Sequence, residues 1–345
     1  MRRLLIIAAA LLAPMTARAA VDSQSVECPV DGTAVAVTII LSSNALLGHD
    51  RDLCPHASEA SSDEISNSVS ACSVCGFAGT PPEFHGEIPA ELAARVKGKL
   101  APSAALSAWE RYANRAQIQE WAKAPEAAIG ESWLRAAWSV RLDPRSAGDP
   151  ALREAATRLL GEAPAPGTQG KPAGAQSGAQ VLAGDPILDP ARTLDAAALK
   201  ANGADRAVAL YSAGALFRSR GELDAAETRY AKSIDAAKDT PVEAGIAAVV
   251  ARDRESIGLE KRYLERAIAH FTLALAAPKI PAHQKALLAF LAAESARRTG
   301  ARDDAAKLYR QSGAVKDPAA DPGMKALLEQ GLADVKSGAP AKKAK

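Results

Sequence analysis

The chain has 345 residues, enough for two or three small domains, and its 42 Lys and Arg nearly balance its 40 Asp and Glu. Because opposite charges are interspersed, the chain has no general field for nucleic acid or anionic lipid, and we predict neither as a partner. Aromatic residues make up only 4%, and alanine supplies much of the apolar content, which favours helices with thin cores. The lysine-rich end, 338–345, predicts a disordered basic tail.

The first 19 residues have the features of a signal peptide. Arg2 and Arg3 precede an apolar run over residues 4–12 that is too short to span a bilayer. Ala17-Arg18-Ala19 fits a small-x-small cleavage site. We therefore predict cleavage after Ala19, an exported protein that is periplasmic or secreted, and no membrane span in the mature chain. An uncleaved membrane anchor is the alternative.

Residues 20–86 predict a small Cys-rich module. Cys28-Pro29-Val30-Asp31-Gly32 and Cys72-Ser73-Val74-Cys75-Gly76 share one outline, with Asp31 at the place of the second Cys. Two thiolates three residues apart can bind one metal from a tight turn, and the following Gly permits the positive φ that such a turn needs. The β-branched run at 35–41 follows the first turn as a hairpin strand would. The module is therefore predicted to be zinc-ribbon-like, with an exposed loop over 58–70.

Zinc prefers a tetrahedron of thiolate and imidazole ligands, with carboxylate as a weaker substitute. We predict one structural Zn²⁺ bound by four thiols, namely Cys28, Cys54, Cys72 and Cys75. For the fourth ligand, Asp31, His49 and His56 are the alternatives to Cys54.

Other states of the four cysteines stay open. The compartment outside the inner membrane favours disulfides, so two disulfides or free thiols are alternatives to zinc. A catalytic zinc would need an open coordination position and a nearby general base. A thioredoxin-like role for Cys72 and Cys75 would need a helix directly after the first thiol, which Gly76 and Pro81-Pro82 oppose.

Helical patterns take over in the segment 87–161, with predicted helices over 89–99, from 102 onwards, over 126–140 and from 150 to 160. The segment contains all the tryptophans of the chain. We predict that they are core residues of an Ala-rich bundle; an aromatic binding surface is the alternative. They are Trp109, Trp121, Trp133 and Trp138.

Residues 162–190 are rich in Ala, Pro, Gly, Gln and Ser and predict a flexible linker. In 191–337, the stretch 211–230 resembles a tetratricopeptide unit, in which Gly214 permits close helix approach and Gly221 forms the turn. A similar turn recurs at 298–309. Between the two we predict a degenerate helix pair over 242–256 and 259–276, and a capping helix over 324–336. The predicted fold is mainly α, with helical hairpins stacked as a TPR-like solenoid.

Taken together, these motifs resemble an uncharacterised family of bacterial proteins in which Cys motifs precede TPR-like helices. The matching stretches are Cys28–Thr33, Gly48–Pro55, Cys72–Ala78 and Trp133–Arg141. The family has a Cys where this chain has Asp31, so the metal ligand set departs from the family pattern. The resemblance implies an architecture and a metal, not a reaction.

The sequence contains no phosphate-binding loop, nucleophile elbow or His-Glu-x-x-His motif. We therefore predict a non-enzymatic exported adaptor that binds a protein or peptide partner through TPR-like helices. We expect exposed positions near Arg218 and Arg297 to line its groove. The alternatives are a metal-dependent hydrolase or thiol oxidoreductase acting through the Cys module, and a structural assembly factor of the cell envelope.

Overall fold

The computed structural model describes residues 20–42, 49–55, 64–100, 106–143, 151–152, 154–155, 188–315 and 322–337. Within these ranges the chain is mainly helical, with a small antiparallel β part near its N-terminus, as predicted. The predicted signal peptide, the basic tail, His56 and nearly all of the predicted linker lie outside the described residues.

Two β-hairpins form the Cys-rich module. Strand β1 (Ala20–Glu27) pairs with β2 (Ala34–Ser42), and β3 (Ser70–Ala71) pairs with β4 (Ala78–Gly79), both antiparallel. Glu27 lies opposite Ala34 in the first hairpin, and Ala71 lies opposite Ala78 in the second. The turn between each pair of strands therefore holds one of the two Cys motifs, and the strand predicted over 35–41 is confirmed.

The region ahead of β3 differs from the predicted exposed loop. Residues 64–67 form one helical turn, and the side chains of Ile65 and Val69 are buried. The Tyr112 hydroxyl donates a 3.1 Å hydrogen bond to the carbonyl of Ile65. Two apolar residues among Ser, Asp and Glu suffice to hold this segment against the core, since burying one such side chain contributes about 1.5–3 kcal/mol.

Four helices follow the hairpins: α1 Pro81–Phe84, α2 Ala90–Lys99, α3 Ala108–Trp121 and α4 Glu126–Leu142. Helix α3 begins directly after its N-cap Ser107, because Ser107 and Glu110 form a reciprocal capping box there. Trp133 and Trp138 are buried, so the prediction of core tryptophans is confirmed for these two. Trp109 and Trp121 are partly buried.

The C-terminal part consists of seven helices: α5 Leu188–Lys200, α6 Gly203–Ser219, α7 Leu223–Ala237, α8 Glu243–Ala276, α9 Ala282–Thr299, α10 Arg302–Gly313 and α11 Pro322–Ser337. Each neighbouring pair in this series packs together. Helix α9 ends at Gly300, whose φ of +89° forms a left-handed C-cap. The predicted hairpins α6–α7 and α9–α10 and the final helix are present.

The predicted helix pair over 242–276 is a single helix of 34 residues. Its buried residues recur every three or four positions through the expected break, at Val250, Asp253, Ile257, Glu260 and Leu264. Gly258 lies at the expected break, and a glycine inside a helix costs about 1 kcal/mol in helix propensity relative to alanine. The burial of the unbroken apolar stripe outweighs this cost. At a rise of about 1.5 Å per residue, α8 is about 51 Å long.

Helix α8 joins the helices on both sides of the predicted linker. Helix α4 packs along α8, and α8 also packs on α9. One hydrophobic core contains Tyr112 and Trp133 from the N-terminal helices together with Phe271, Phe290 and Tyr309 from the later ones. No helix in the described ranges is long and apolar enough to cross a membrane.

Candidate metal centre

The two Cys motifs have the same backbone conformation. In each, the first Cys amide donates to the carbonyl five residues on, and the Gly amide donates back to the carbonyl of that Cys. These bonds are Cys28 N to Thr33 O (2.8 Å), Gly32 N to Cys28 O (2.8 Å), Cys72 N to Phe77 O (2.8 Å) and Gly76 N to Cys72 O (3.0 Å). Both glycines have a φ of +75°, a conformation that a side chain would strain. The shared outline of the two sequences is therefore a shared turn.

The turns bring four possible ligands together. One ligand atom each from Cys28, Asp31, Cys72 and Cys75 lies within 4.8 Å of all the others. The Sγ atoms of Cys28 and Cys75 are 3.6 Å apart. Cys72 Sγ lies 3.6 Å from Asp31 Oδ2 and 3.7 Å from Asp31 Oδ1. The group could hold a metal ion with three sulfurs and one carboxylate oxygen.

These separations fit the edges of a zinc tetrahedron. With Zn–S bonds of about 2.3 Å, two sulfurs in a tetrahedral site lie about 3.8 Å apart. With a Zn–O bond of about 2.1 Å, sulfur and oxygen lie about 3.6 Å apart. The observed 3.6 Å between Cys28 and Cys75 and 3.6 Å between Cys72 and Asp31 are close to both values.

The electrostatics of the group favour two anionic members. Hydrogen bonding to the Cys75 thiol lowers the pKa of Cys28 to about 7; burial opposes this, and the amides of Val30 and Asp31 add to it. Burial acts to raise the pKa of Asp31, but hydrogen bonds from Thr33 lower it to about 2. The bond to Cys28, together with burial, raises the pKa of Cys75. A bound cation would supply the charge that lets the remaining thiols ionise.

The three cysteine side chains of the ligand group are buried inside the module. The side chains of Cys28, Cys72 and Cys75 are at most 4% exposed and belong to a core with Val37 and Phe77. All four cysteines of the chain are free thiols in the structure. The site is thus walled by apolar residues, while the ligands themselves come from the two turns.

The predicted fourth ligand, Cys54, lies elsewhere, and the alternative Asp31 takes its place. Cys54 is fully buried in the helical core, where its thiol contacts the carbonyl of Pro55. Burial raises its pKa well above the usual thiol value, against the attraction of Arg141. His49 is exposed and pairs through its backbone with Pro55, outside the ligand group.

Residues 49–55, here called the strap, contain a second cluster that the sequence did not predict. Asp52 is fully buried, and its Oδ2 accepts 2.9 Å hydrogen bonds from Trp138 Nε1 and Arg141 Nη2. Its Oδ1 accepts from the Cys54 amide at 3.2 Å and lies 2.9 Å from Arg298 Nη2. The carboxylate is thus enclosed by partners from α4, α9 and the strap itself.

Arg141 extends this cluster in two directions. Its Nη2 lies 2.9 Å from Glu260 Oε1 on α8, and its Nη1 lies 3.1 Å from Asp50 Oδ2. Asp50 Oδ1 in turn lies 3.1 Å from Arg220 Nη1, at the end of α6. Three buried carboxylates therefore meet three buried guanidinium groups, as the high cost of burying unpaired charge requires.

The strap also contacts the C-terminal helices. Arg51 donates a 2.8 Å hydrogen bond to Glu294 on α9 and pairs with Asp334 on α11. Tyr309 on α10 donates to the same Glu294. One seven-residue segment therefore connects the N-terminal helices with the last three helices of the array.

A sequence signal for this cluster was present in α4. The other residues of its last two turns are small or apolar, as in a helix end that is buried. Because an arginine is almost never buried without a partner, Arg141 had to be either exposed or paired. Of the positions predicted to line a partner groove, Arg218 is buried and Arg297 is partly buried. Arg218 is 1% exposed, and the Arg297 side chain is 11% exposed and paired with Glu222 and Glu294. Neither can form an open binding face.

No family model matches the chain, and neither a curated protein nor a solved structure is significantly similar to it. The resemblance to an uncharacterised bacterial family therefore stays a prediction from its motifs.

Proposed function

We propose that the chain is a non-enzymatic scaffold whose N-terminal module is stabilised by one structural Zn²⁺ bound by Cys28, Asp31, Cys72 and Cys75. The observation that carries the proposal is the grouping of four ligand atoms within 4.8 Å, at separations close to tetrahedral edges. Three soft thiolates favour zinc over magnesium or calcium, which prefer oxygen.

The geometry favours a structural over a catalytic role for the metal. A catalytic zinc keeps one coordination position open for water or substrate. Here the protein itself offers all four ligands, from two turns that lie 44 residues apart at Cys28 and Cys72. Bound metal would tie together the two hairpins, each of which has only two strands, and an isolated two-stranded hairpin is at best marginally stable in water.

The helical part supplies the scaffold. Helices α5–α11 pack in series, as TPR-like arrays do, and such arrays mostly bind protein or peptide segments. We propose this role for the exported protein, in the periplasm or outside the cell. The binding face has to be sought away from Arg218 and Arg297, since both are withdrawn from solvent.

Elemental analysis of the chain from Ala20 onwards, purified without chelator, tests the metal proposal. We expect about one zinc per chain, lost in Cys72→Ser and kept in Cys54→Ser, because Cys54 lies outside the ligand group. Absence of zinc, together with paired thiols by mass spectrometry, would contradict the proposal.

The scaffold role has its own test. Affinity capture from the native envelope fraction should retrieve a protein partner with the full chain. If the full wild-type chain retrieves nothing above a bead control, the result would count against the scaffold role, whatever the zinc content of the chain.

A further inference from the structure

A groove opens on the surface between α5, α6 and α7. Its volume is about 710 Å³, within the range of about 300–1,000 Å³ typical of ligand pockets. Ala198 and Leu210, both buried, lie at its base. Leu199 lies at its rim and is 82% exposed, the largest exposed fraction among the large apolar side chains that the structure describes as exposed. An apolar side chain of a partner could cover this leucine.

The charges around the groove do not cancel. Two carboxylates line it, but each is already paired: Asp195 with Arg229 at 2.6 Å, and Asp235 with Lys238 at 2.9 Å. Two further cations of the lining, Arg206 and Lys232, are exposed and are paired with no carboxylate of the described residues. The rim thus presents two free positive charges beside an apolar base.

The start of α6 adds to the same field. Asn202 and Gly203 line the groove, and the Asn202 side chain does not cap the helix. The first amides of a helix carry a partial positive charge and favour an anion. This contribution has the same sign as Arg206 and Lys232, and the exposed Asp205 in the first turn of α6, outside the groove lining, opposes it.

We propose that the groove between α5, α6 and α7 binds an acidic peptide segment that carries large apolar side chains. The apolar side chains cover Leu199 and reach the base at Leu210, and the carboxylates lie against Arg206 and Lys232. The proposal rests on the scaffold function proposed above and names its binding site and the chemistry of its partner.

Three labelled octapeptides test this chemistry by fluorescence anisotropy with the full chain from Ala20 onwards. They are alternating Leu-Glu, alternating Leu-Lys and alternating Ser-Glu. We expect saturable binding of the Leu-Glu peptide, weakened at least about threefold between 0.05 and 0.5 M salt because exposed charges are screened. The Leu-Lys and Ser-Glu peptides should each bind at least about tenfold more weakly, since each lacks one of the two complementary features.

Matched variants locate the site. Arg206→Glu/Lys232→Glu and Leu199→Ser change exposed side chains of the groove and should each weaken Leu-Glu binding, the double variant by at least about tenfold. The control Arg262→Glu/Lys279→Glu makes the same charge change at exposed positions that do not line the groove, and should bind as the wild type does. Circular dichroism spectra of all variants should match.

Equal binding of the three peptides, no saturable Leu-Glu binding, or unchanged binding by the double variant would each overturn the proposal. So would a stable dimer that dissociates in Leu199→Ser, because a second copy would then be the occupant. If affinity capture retrieves the same partner with wild type and groove variants, the scaffold function stands and only this groove is wrong. Zinc content is a separate readout that none of these variants should change.

Discussion

The guanidinium group of Arg141 lies 2.9 Å from the carboxylate of Asp52, and both side chains are at most 1% exposed. The two residues are 89 positions apart, one at the end of α4 and the other in the strap. Because Asp52 also meets Arg298 and Arg141 also meets Glu260, this contact joins the strap to α4, α8 and α9. It holds the segment after the first hairpin in the middle of the helical array.

Arg141→Met should destabilise the protein by about 3–5 kcal/mol, because it leaves buried carboxylates without their shared partner. Chemical denaturation of the chain from Ala20 onwards measures this. Lys307→Met is the control: Lys307 and Asp304 form an exposed pair, and its loss should cost at most about 1 kcal/mol. Similar losses in the two variants would show that the buried cluster contributes no more than a surface pair.

The acid side of the stability curve should depend on Asp52. Burial acts to raise its pKa, but Arg141 and Arg298 hold the pKa well below that of an unfolded Asp, about 3.9. A depressed pKa contributes stability that is present above the unfolded value and is lost as pH falls below it. The free energy of unfolding should therefore decline as the pH falls below about 5.

Asp52→Asn should flatten this acid decline, as measured by urea unfolding between pH 2.5 and 7. Glu294→Gln provides a second variant. Burial acts to raise the pKa of Glu294, but the arginines around it lower that pKa below the usual glutamate value. Asp304→Asn, an exposed change, should leave the slope as in the wild type. Parallel curves for all four proteins would contradict the assignment of the acid sensitivity to the strap cluster.

Gly214→Ala should destabilise the α6–α7 pair by about 1–3 kcal/mol, because overpacking costs more than the gain in helix propensity. A Cβ at Gly214 would lie 2.8 Å from the ring of Tyr230 and 3.3 Å from the Ala226 carbonyl. At Gly258, in the middle of α8, a Cβ would meet nothing closer than 3.8 Å. Gly258→Ala should thus stabilise by about 0.5–1 kcal/mol. Thermal unfolding of both variants should shift in opposite directions; a shift in the same direction would sink the close-approach argument.

Asp31→Cys should bind zinc more tightly than the wild type, and Asp31→Ala more weakly, each by at least about tenfold. The carboxylate oxygen is the hardest of the four ligands, and a thiolate at its place would complete a four-sulfur set. Competition with a chromophoric chelator under reducing conditions measures both changes. Equal affinity of the three proteins would show that Asp31 is not a ligand.

The local elements were predictable because their signals are local. The β-branched run after Cys28 is β2, the glycine at position 300 ends α9, and Gly214 lies against Tyr230 as its repeat position indicated. The turn glycines Gly32 and Gly76 adopt the positive φ that the two Cys motifs require. In each case the pattern is read within a few residues, where propensity and turn geometry decide.

The fourth member of the ligand group, whether Cys54, Asp31 or a histidine, could not be identified from local sequence. All were within reach along the chain, and softness alone favoured the thiol over the carboxylate. The structure holds Asp31 in the first turn, within 4.8 Å of the three thiols, and places Cys54 in the helical core with the strap. The unbroken α8 is a similar case. The first half of its buried stripe packs in a core with α6 and α7, and the second half packs in a core with α4 and α9.

The amino-acid sequence by itself determined two matching turns at the Cys motifs, a mainly helical chain with close-packed hairpins, and a net charge near zero. Only the tertiary structure decided which side chains meet: three thiols with Asp31, Asp52 with Arg141, and the exposed Leu199 beside Arg206 and Lys232. The physical reason is that propensities act over a few residues. Ligand groups, buried charge pairs and grooves are made by residues far apart in the chain, and their partners are chosen by the packing of the whole core.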